Sequence, residues 1–259
     1  MHEMNQRNAE MDLMKEMEDY RKEYIGNVSH ELKTPLFSIQ GYIETLRDGG
    51  VEDLNIRDKY LQRIDSSVER LLNIVKDLDM INRFESGQIN LKYSTFDINH
   101  LVQEIFDLLE MEAERHSMTM QLQTTQSQLF VFADKQKISQ VLINLISNAV
   151  KYANREEAQI IVSTREGTKS IHISVEDNGM GIKPENLPRI FERFYRVESS
   201  RNRKEGGSGL GLAIVKHIME AHKQTINVES VYLSGTKFKF KLGKAAIEKI
   251  RKNRINFVD

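Results

Sequence analysis

Apolar residues recur along the first part of the chain at the spacing of a helix face. Val28, Leu32, Pro35/Leu36, Ile39, Ile43 and Leu46 form one stripe, with a proline inside it. The glycine pair in "RDGGVEDLN" interrupts the pattern. A second stripe, Leu61, Ile64, Val68, Leu71, Val75 and Leu78, advances by alternating steps of three and four, the a/d seam of packed helices. Two antiparallel helices cannot bury both seams against each other alone. A dimeric antiparallel hairpin is therefore expected, with two copies completing a four-helix bundle. Upstream, Leu13, Met17, Tyr20, Tyr24, Val28 and Leu32 step by four, three, four, four and four. The extra four near Tyr24–Val28 is a stutter, which locally unwinds a coiled coil. It suits a segment that relays rotation or tilt; a plain dimer helix is the other reading.

After "ESGQ" the period shortens. "INLKY", "MTMQLQ", "QIIVSTR", "SIHISVED", "TINVES" and "TKFKFKL" alternate as strands do. Helices are predicted between them at about Asn99–His116, Asp134–Ala153 and Leu210–His222. Such a mixture points to an α/β sandwich with helices on one face of a mixed sheet. The chain thus divides near residue 90 into a helical hairpin and a compact α/β domain.

Composition narrows the class. With 259 residues, 39% of them hydrophobic and 29% charged, the chain can bury two cores and stay soluble. A net charge of −1 gives no general pull toward nucleic acid, and no nucleic-acid partner is expected. The absence of cysteine excludes disulfides and thiolate metal sites. No apolar run approaches the roughly 20 residues that cross a bilayer, and the N-terminal residues are charged throughout rather than forming a signal peptide. A soluble, cytoplasmic portion of something longer is expected.

The chemistry begins in "VSHELKTPLFSI". Helix residues are about 100° apart, so His30 lies about 200° from both Val28 and Leu32, off the buried stripe. Thr34 shares its face, Glu31 is adjacent, and Pro35 removes a backbone hydrogen bond just beyond. An ordinary surface histidine beside a proline kink is the bland reading. A zinc motif fails, because H-E-x-x-H needs a second histidine where Thr34 stands. A neutral imidazole offers one free nitrogen lone pair, and a neighbouring carboxylate can fix its tautomer, which makes His30 a candidate nucleophile.

Four stretches in the second domain suit a nucleotide. In "QVLINLISNAVKY", Asn144, Asn148 and Lys151 share a helix face, two amides and an ammonium fit for a metal-bound polyphosphate. In "DNGMGI", Gly179 and Gly181 let the backbone approach a ligand, and Asp177 can accept a hydrogen bond from an exocyclic amine. "FERFYR", ending at Arg196, reads as an anchor for a movable segment or as core packing. "GGSGLGLAIVKHI" runs glycines 206, 207, 209 and 211 into an apolar helix whose first N–H groups attract anions. A dinucleotide fingerprint would need Gly or Ala at Ile214, and no P-loop motif occurs. The polar "VESSRNRKEGG" reads as a lid or a plain loop, with Arg201, Arg203 and Lys204 as candidates to reach phosphates.

Together these motifs, in this order, resemble the transmitter core of two-component sensor histidine kinases. The resemblance implies a signalling coiled coil over 1–20, a dimerisation and phospho-acceptor domain over 21–86, a Bergerat-type ATP-binding domain over 90–243 and a tail over 244–259. It implies that His30 accepts the γ-phosphoryl group of ATP with help from Glu31, and that Thr34 serves a phosphatase activity. It places Mg²⁺ on Asn148 with Asn144 close by, and Lys151, Tyr152 and Arg196 at the phosphates. It gives adenine to Asp177 with Gly179 and Gly181, and the lid hinge to Gly207, Gly209, Leu210 and Gly211. The implied partners are a second copy of the chain and the receiver domain of a response regulator, with a membrane reached only through an N-terminal sensor region. "HKQT" lacks the glycine pair usual after the last helix; Ala153 and Ser208 also depart from common residues. A clamp-type ATPase of the same fold and a non-catalytic dimeric adaptor are the rival readings.

Overall fold

The computed structural model describes residues 2–153, 157–197 and 207–246, the side chains of 2–10, 12, 13, 16, 17 and 20 excepted. The side chains of Leu13, Met17 and Tyr20, which precede the stutter near Tyr24–Val28, and the lid residues Arg201, Arg203, Lys204 and Gly206 lie outside these. The chain forms two compact units that divide between Asp79 and Met80.

In the first unit α1 (His2–Thr45) runs through Pro35 without interruption. The Thr34 hydroxyl donates to the His30 carbonyl at 3.1 Å, and that of Ser38 donates to the Thr34 carbonyl at 3.0 Å. The chain reverses at Leu46–Gly50, where Asp48 and Gly49 leave helical geometry. The helix α2 (Leu54–Glu85) follows, its start capped by Asp53 Oδ1, which accepts from the N–H of Asn55 at 2.9 Å. Across the hairpin the Tyr42 and Tyr60 rings lie 5.2 Å apart, with the Arg63 guanidinium over Tyr42. The two seams do not close on each other: Leu36, Leu61 and Val75 are each at least half exposed, as is Leu72 beside the second seam.

The second unit begins with the end of α2. Ile81 is fully buried, Phe84 stacks on His217 with ring centroids 5.9 Å apart, and Glu85 pairs with Arg193. Burial and the Arg193 charge push the His217 imidazole below its ordinary pKa. After it come β1 (Tyr93–Asp97), α3 (Ile98–Arg115), β2 (Met118–Thr124), β3 (Phe130–Asp134) and α4 (Lys135–Lys151). The unit continues with β4 (Ala158–Glu166), β5 (Ser170–Asp177), α5 (Gly211–Ala221), β6 (Ile226–Val231) and β7 (Gly235–Gly243). A five-stranded sheet has the order β2-β4-β5-β7-β6, antiparallel except for the β2–β4 pair. Its buried face carries Ile160, Val162, Ile171, Ile173, Val175, Phe238 and Phe240; α3 and α4 pack on the sheet, and α5 packs on α4.

β1 and β3 form a separate antiparallel pair. Neither was expected: of "INLKY" only Tyr93 is in a strand, and "FVFAD" is a short strand running straight into a helix. Each ends in an aspartate that caps the next helix, Asp97 on the N–H of Asn99 and Asp134 on that of Lys137.

The glycine-poor turn after α5 has its own solution. His222 is buried; its Nε2 accepts from the Asp134 N–H at 3.1 Å, so its Nδ1–H donates to the Ile218 carbonyl at 2.8 Å. Lys223 then takes the left-handed conformation, φ 55°, that glycine favours at a helix end. Lys223→Gly is expected to raise stability by about 0.5–1 kcal/mol, since relief of the left-handed strain exceeds the added chain entropy of glycine. A urea unfolding midpoint that stays put or falls would contradict this.

Candidate functional site

The exposed face of α1 presents His30 to solvent, and Thr34 is exposed one turn on. The Thr34 hydroxyl bonds back to the backbone, though to the His30 carbonyl rather than to the Glu31 carbonyl that Pro35 deprives of its N–H. Glu31 points across the hairpin: its carboxylate lies 3.4 Å from Arg70 on α2 and is only 14% exposed. The Arg70 guanidinium is partly sequestered there, its Nε buried without a hydrogen-bond partner. Adjacency in sequence therefore does not translate into a carboxylate dedicated to the His30 ring.

The second site is a cleft of about 830 Å³, open to solvent, beside the end of β5. Three sequence stretches converge on it: Asn148 and Tyr152 from the end of α4, Asp177 from the end of β5 with Gly181 from the loop after it, and Arg196. Asp177 stands at the last position of β5, opposite Thr236 of β7. Burial pushes its carboxyl above the usual range and Glu176 adds to this, while backbone N–H groups of Gly179 and Thr236 pull the other way. The Gly179 N–H donates to Asp177 Oδ1 at 2.9 Å, closing the turn, and the N–H of Met180 reaches the Tyr152 carbonyl at 3.2 Å. A Cβ at Gly179 would stand 2.6 Å from that same carbonyl. Gly181 has φ 63°, and a side chain there would run into the backbone of Val231. The β6–β7 turn locks onto this loop, Leu233 donating to the Met180 carbonyl at 2.7 Å. Asn178 fastens the other side, accepting from the Gln159 N–H and donating to the Glu157 carbonyl.

The remaining predicted residues divide. Asn144 is not part of the cleft wall; its amide donates to the Gly211 carbonyl at 3.2 Å and ties α4 to the start of α5. Lys151 is exposed at the end of α4, its ammonium 3.8 Å from where a Cβ on Gly207 would stand. Gly209 has φ 73°, and its carbonyl accepts from Phe194, itself at φ 61°. Leu210 does not face the cleft: its side chain is fully buried, as its apolar spacing with Ala213 and Ile214 requires, and only its N–H, on the Ser208 hydroxyl, stays near the loop. Its neighbour Leu212 lines the cleft instead. "FERF" is anchored by Phe191, whose ring meets Phe238 edge-on at 6.3 Å.

Sequence reasoning missed Tyr232, Thr236 and Phe238, which form the far wall. Their cue was the alternation of "TKFKFKL", which puts Thr236 and Phe238 on the face opposite the lysines; the register against Asp177 was not readable.

Comparison with known proteins agrees with this division. Residues 20–87 match the His Kinase A (phospho-acceptor) domain, and residues 133–246 match the histidine kinase-, DNA gyrase B- and HSP90-like ATPase family. Over 227 residues the chain is 36% identical to the sensor histidine kinase WalK of Bacillus subtilis, covering 87% of this chain and 37% of that one. The chain thus spans little more than a third of that relative's length. The solved histidine kinase AdeS of Acinetobacter baumannii aligns at 29% identity and TM-score 0.66, over 84% of this chain and 98% of that one. Histidine kinase ThkA, solved in complex with the response regulator protein TrrA, aligns at 27% identity and TM-score 0.68, over 86% of this chain and 61% of that one. With a phospho-acceptor hairpin and an ATPase fold in this order, and relatives spanning both, the chain belongs to the sensor histidine kinase family.

Proposed function

We propose that the chain transfers the γ-phosphoryl group of ATP to His30 and then to an aspartate on a separate response regulator. The observation that carries this reading is the convergence of Asp177, Asn148 and Gly181 on one cleft, in a chain that exposes His30 on a helix. Asp177 offers a half-buried acceptor for the adenine amine, and Gly181 lets the base approach the backbone. Tyr152, Arg196 and the nearby Lys151 stand where phosphates would emerge. Among the described residues no cluster of three His, Asp or Glu side chains could hold a metal alone. Mg²⁺ would therefore enter with the phosphates, taking the Asn148 amide oxygen as a protein ligand with Asn144 one turn away, and would neutralise charge on the triphosphate. The lone pair of a His30 ring nitrogen forms the N–P bond as the β–γ bridging O–P bond breaks and ADP leaves with the electron pair; the other ring nitrogen keeps its proton. A carboxylate oxygen of the regulator then displaces the imidazole from phosphorus. The half-exposed apolar residues Leu36, Leu61, Leu72 and Val75 support a homodimer that covers them. Among the described residues no helix is long and apolar enough to cross a membrane.

Incubation with γ-labelled ATP tests the proposal. Label stable in alkali, labile in acid and mapped to the peptide holding His30 is expected. A chain that binds and hydrolyses ATP without retaining label would be a nucleotide clamp.

The family's E-x-x-T pattern, here Glu31–Thr34, supports a phosphatase role in which Thr34 positions water at a phospho-aspartate. The hydroxyl that now bonds the His30 carbonyl is exposed and can exchange that bond for water at little cost. Thr34→Ala is expected to slow regulator dephosphorylation at least about tenfold, roughly 1.4 kcal/mol of barrier, with labelling of His30 nearly unchanged. If both activities fall together, or neither does, Thr34 is structural.

A further inference from the structure

The sheet face away from the helices carries a row of cations that nothing in the kinase reading uses. Arg165 on β4 pairs in register with His172 on β5, and His172 pairs with Lys241 on β7. Adjacent strands lie about 4.8 Å apart, so three basic side chains stand side by side across roughly 10 Å. Among the described residues none of the three has a hydrogen-bond or ion-pair partner, whereas the other charges of this face are matched. Lys237 pairs with Glu176 at 2.6 Å and Lys239 with Glu229 at 2.5 Å, and Glu166, next to Arg165 but on the opposite side of β4, is taken by Lys244 and Gln126. Burial chiefly, and then the charges of Lys241 and Arg165, hold the His172 imidazole below its ordinary pKa.

The row borders a hollow of about 1020 Å³, open to solvent, with the Ser163 and Ser174 hydroxyls in the next cross-strand row. The hollow shares no lining residue with the nucleotide cleft, and no carboxylate lines it. A guanidinium fork, an ammonium, an imidazole and two hydroxyls on a rigid sheet make a donor set for several anionic oxygens at once. We propose that this hollow is a second anion site that takes a small molecule bearing adjacent phosphate groups. Tetrahedral phosphates fit better than planar carboxylates, because donors here come from separate strands and meet oxygens spread in three dimensions.

The test uses the full chain with ring-labelled histidine, followed by NMR during titration with pyrophosphate, and separately with citrate. His172→Gln assigns the resonance. Pyrophosphate should shift the His172 ring signals saturably, more tightly than citrate does. The double variant Arg165→Gln/Lys241→Gln should weaken that binding at least about tenfold while leaving ATP-dependent labelling unchanged, since both side chains are remote from the cleft. The proposal is overturned if His172 does not respond or if the double variant binds pyrophosphate like wild type. Equally tight citrate binding would overturn the ligand class.

Discussion

His30→Gln removes all retained phosphoryl label while the chain still folds, dimerises and binds ATP. The side chain is exposed on the outer face of α1, so its replacement leaves no cavity and breaks no packed contact. Glutamine keeps the polarity and approximate reach of histidine, but its amide nitrogen has no basic lone pair to attack phosphorus. The loss should exceed about a hundredfold, more than roughly 2.7 kcal/mol of barrier. Thermal unfolding and nucleotide affinity serve as controls. Alkali-stable label on the variant at more than a small fraction of the wild-type level would place the acceptor elsewhere. Arg70→Gln separates the roles of the neighbours. If Glu31 must be held across the hairpin to act, freeing it from Arg70 alters the labelling rate without removing the acceptor.

Local periodicity made the hairpin legible, including its openness. Two complete seams on two helices overfill a single hairpin, and the exposed Leu36, Leu61 and Val75 are the remainder. Pro35 lies inside α1 without ending it, because a single missing N–H within forty-four residues of helix is outweighed by the turns on either side. The short strands β1 and β3 were not legible, since five residues ending in a capping aspartate show neither a clear alternation nor a turn of their own. Within the cleft, the residues found were those whose backbone chemistry is local: Asp177 at a strand end and Gly181 at a close approach. Those missed, Tyr232, Thr236 and Phe238, arrive by pairing of β5 with β7, strands nearly sixty residues apart whose register no local pattern reveals. Glu31 shows the same limit. Its nearest residue in sequence is His30, yet Arg70, thirty-nine positions away, holds its carboxylate.

Asp177→Asn separates folding from function. In the apo protein the site disfavours a charge: burial outweighs the hydrogen bonds from the Gly179 and Thr236 backbone, and the carboxyl is pushed up from its ordinary range. A raised carboxylate pKa means that the ionised form is worse accommodated folded than unfolded. That penalty is absent at low pH and grows as pH rises from the unfolded pKa of about 3.9 through the folded one. Asparagine never ionises, so the thermal midpoint of the variant should match or exceed wild type at pH 8, with the advantage shrinking toward pH 4. ATP sees the opposite balance. The asparagine oxygen can still accept from Gly179, which leaves its NH₂ group where an acceptor for the adenine amine is required. A donor then faces a donor once the bound base closes off this end of the cleft, at a cost of about 3 kcal/mol or somewhat more than a hundredfold in affinity. Calorimetric titration with ATP and a melt at two pH values read both effects on one sample. A variant that binds ATP like wild type would remove adenine from this end of the cleft. One that loses stability at pH 8 would show that Asp177 is held for its hydrogen bonds to the β7 backbone rather than for the nucleotide.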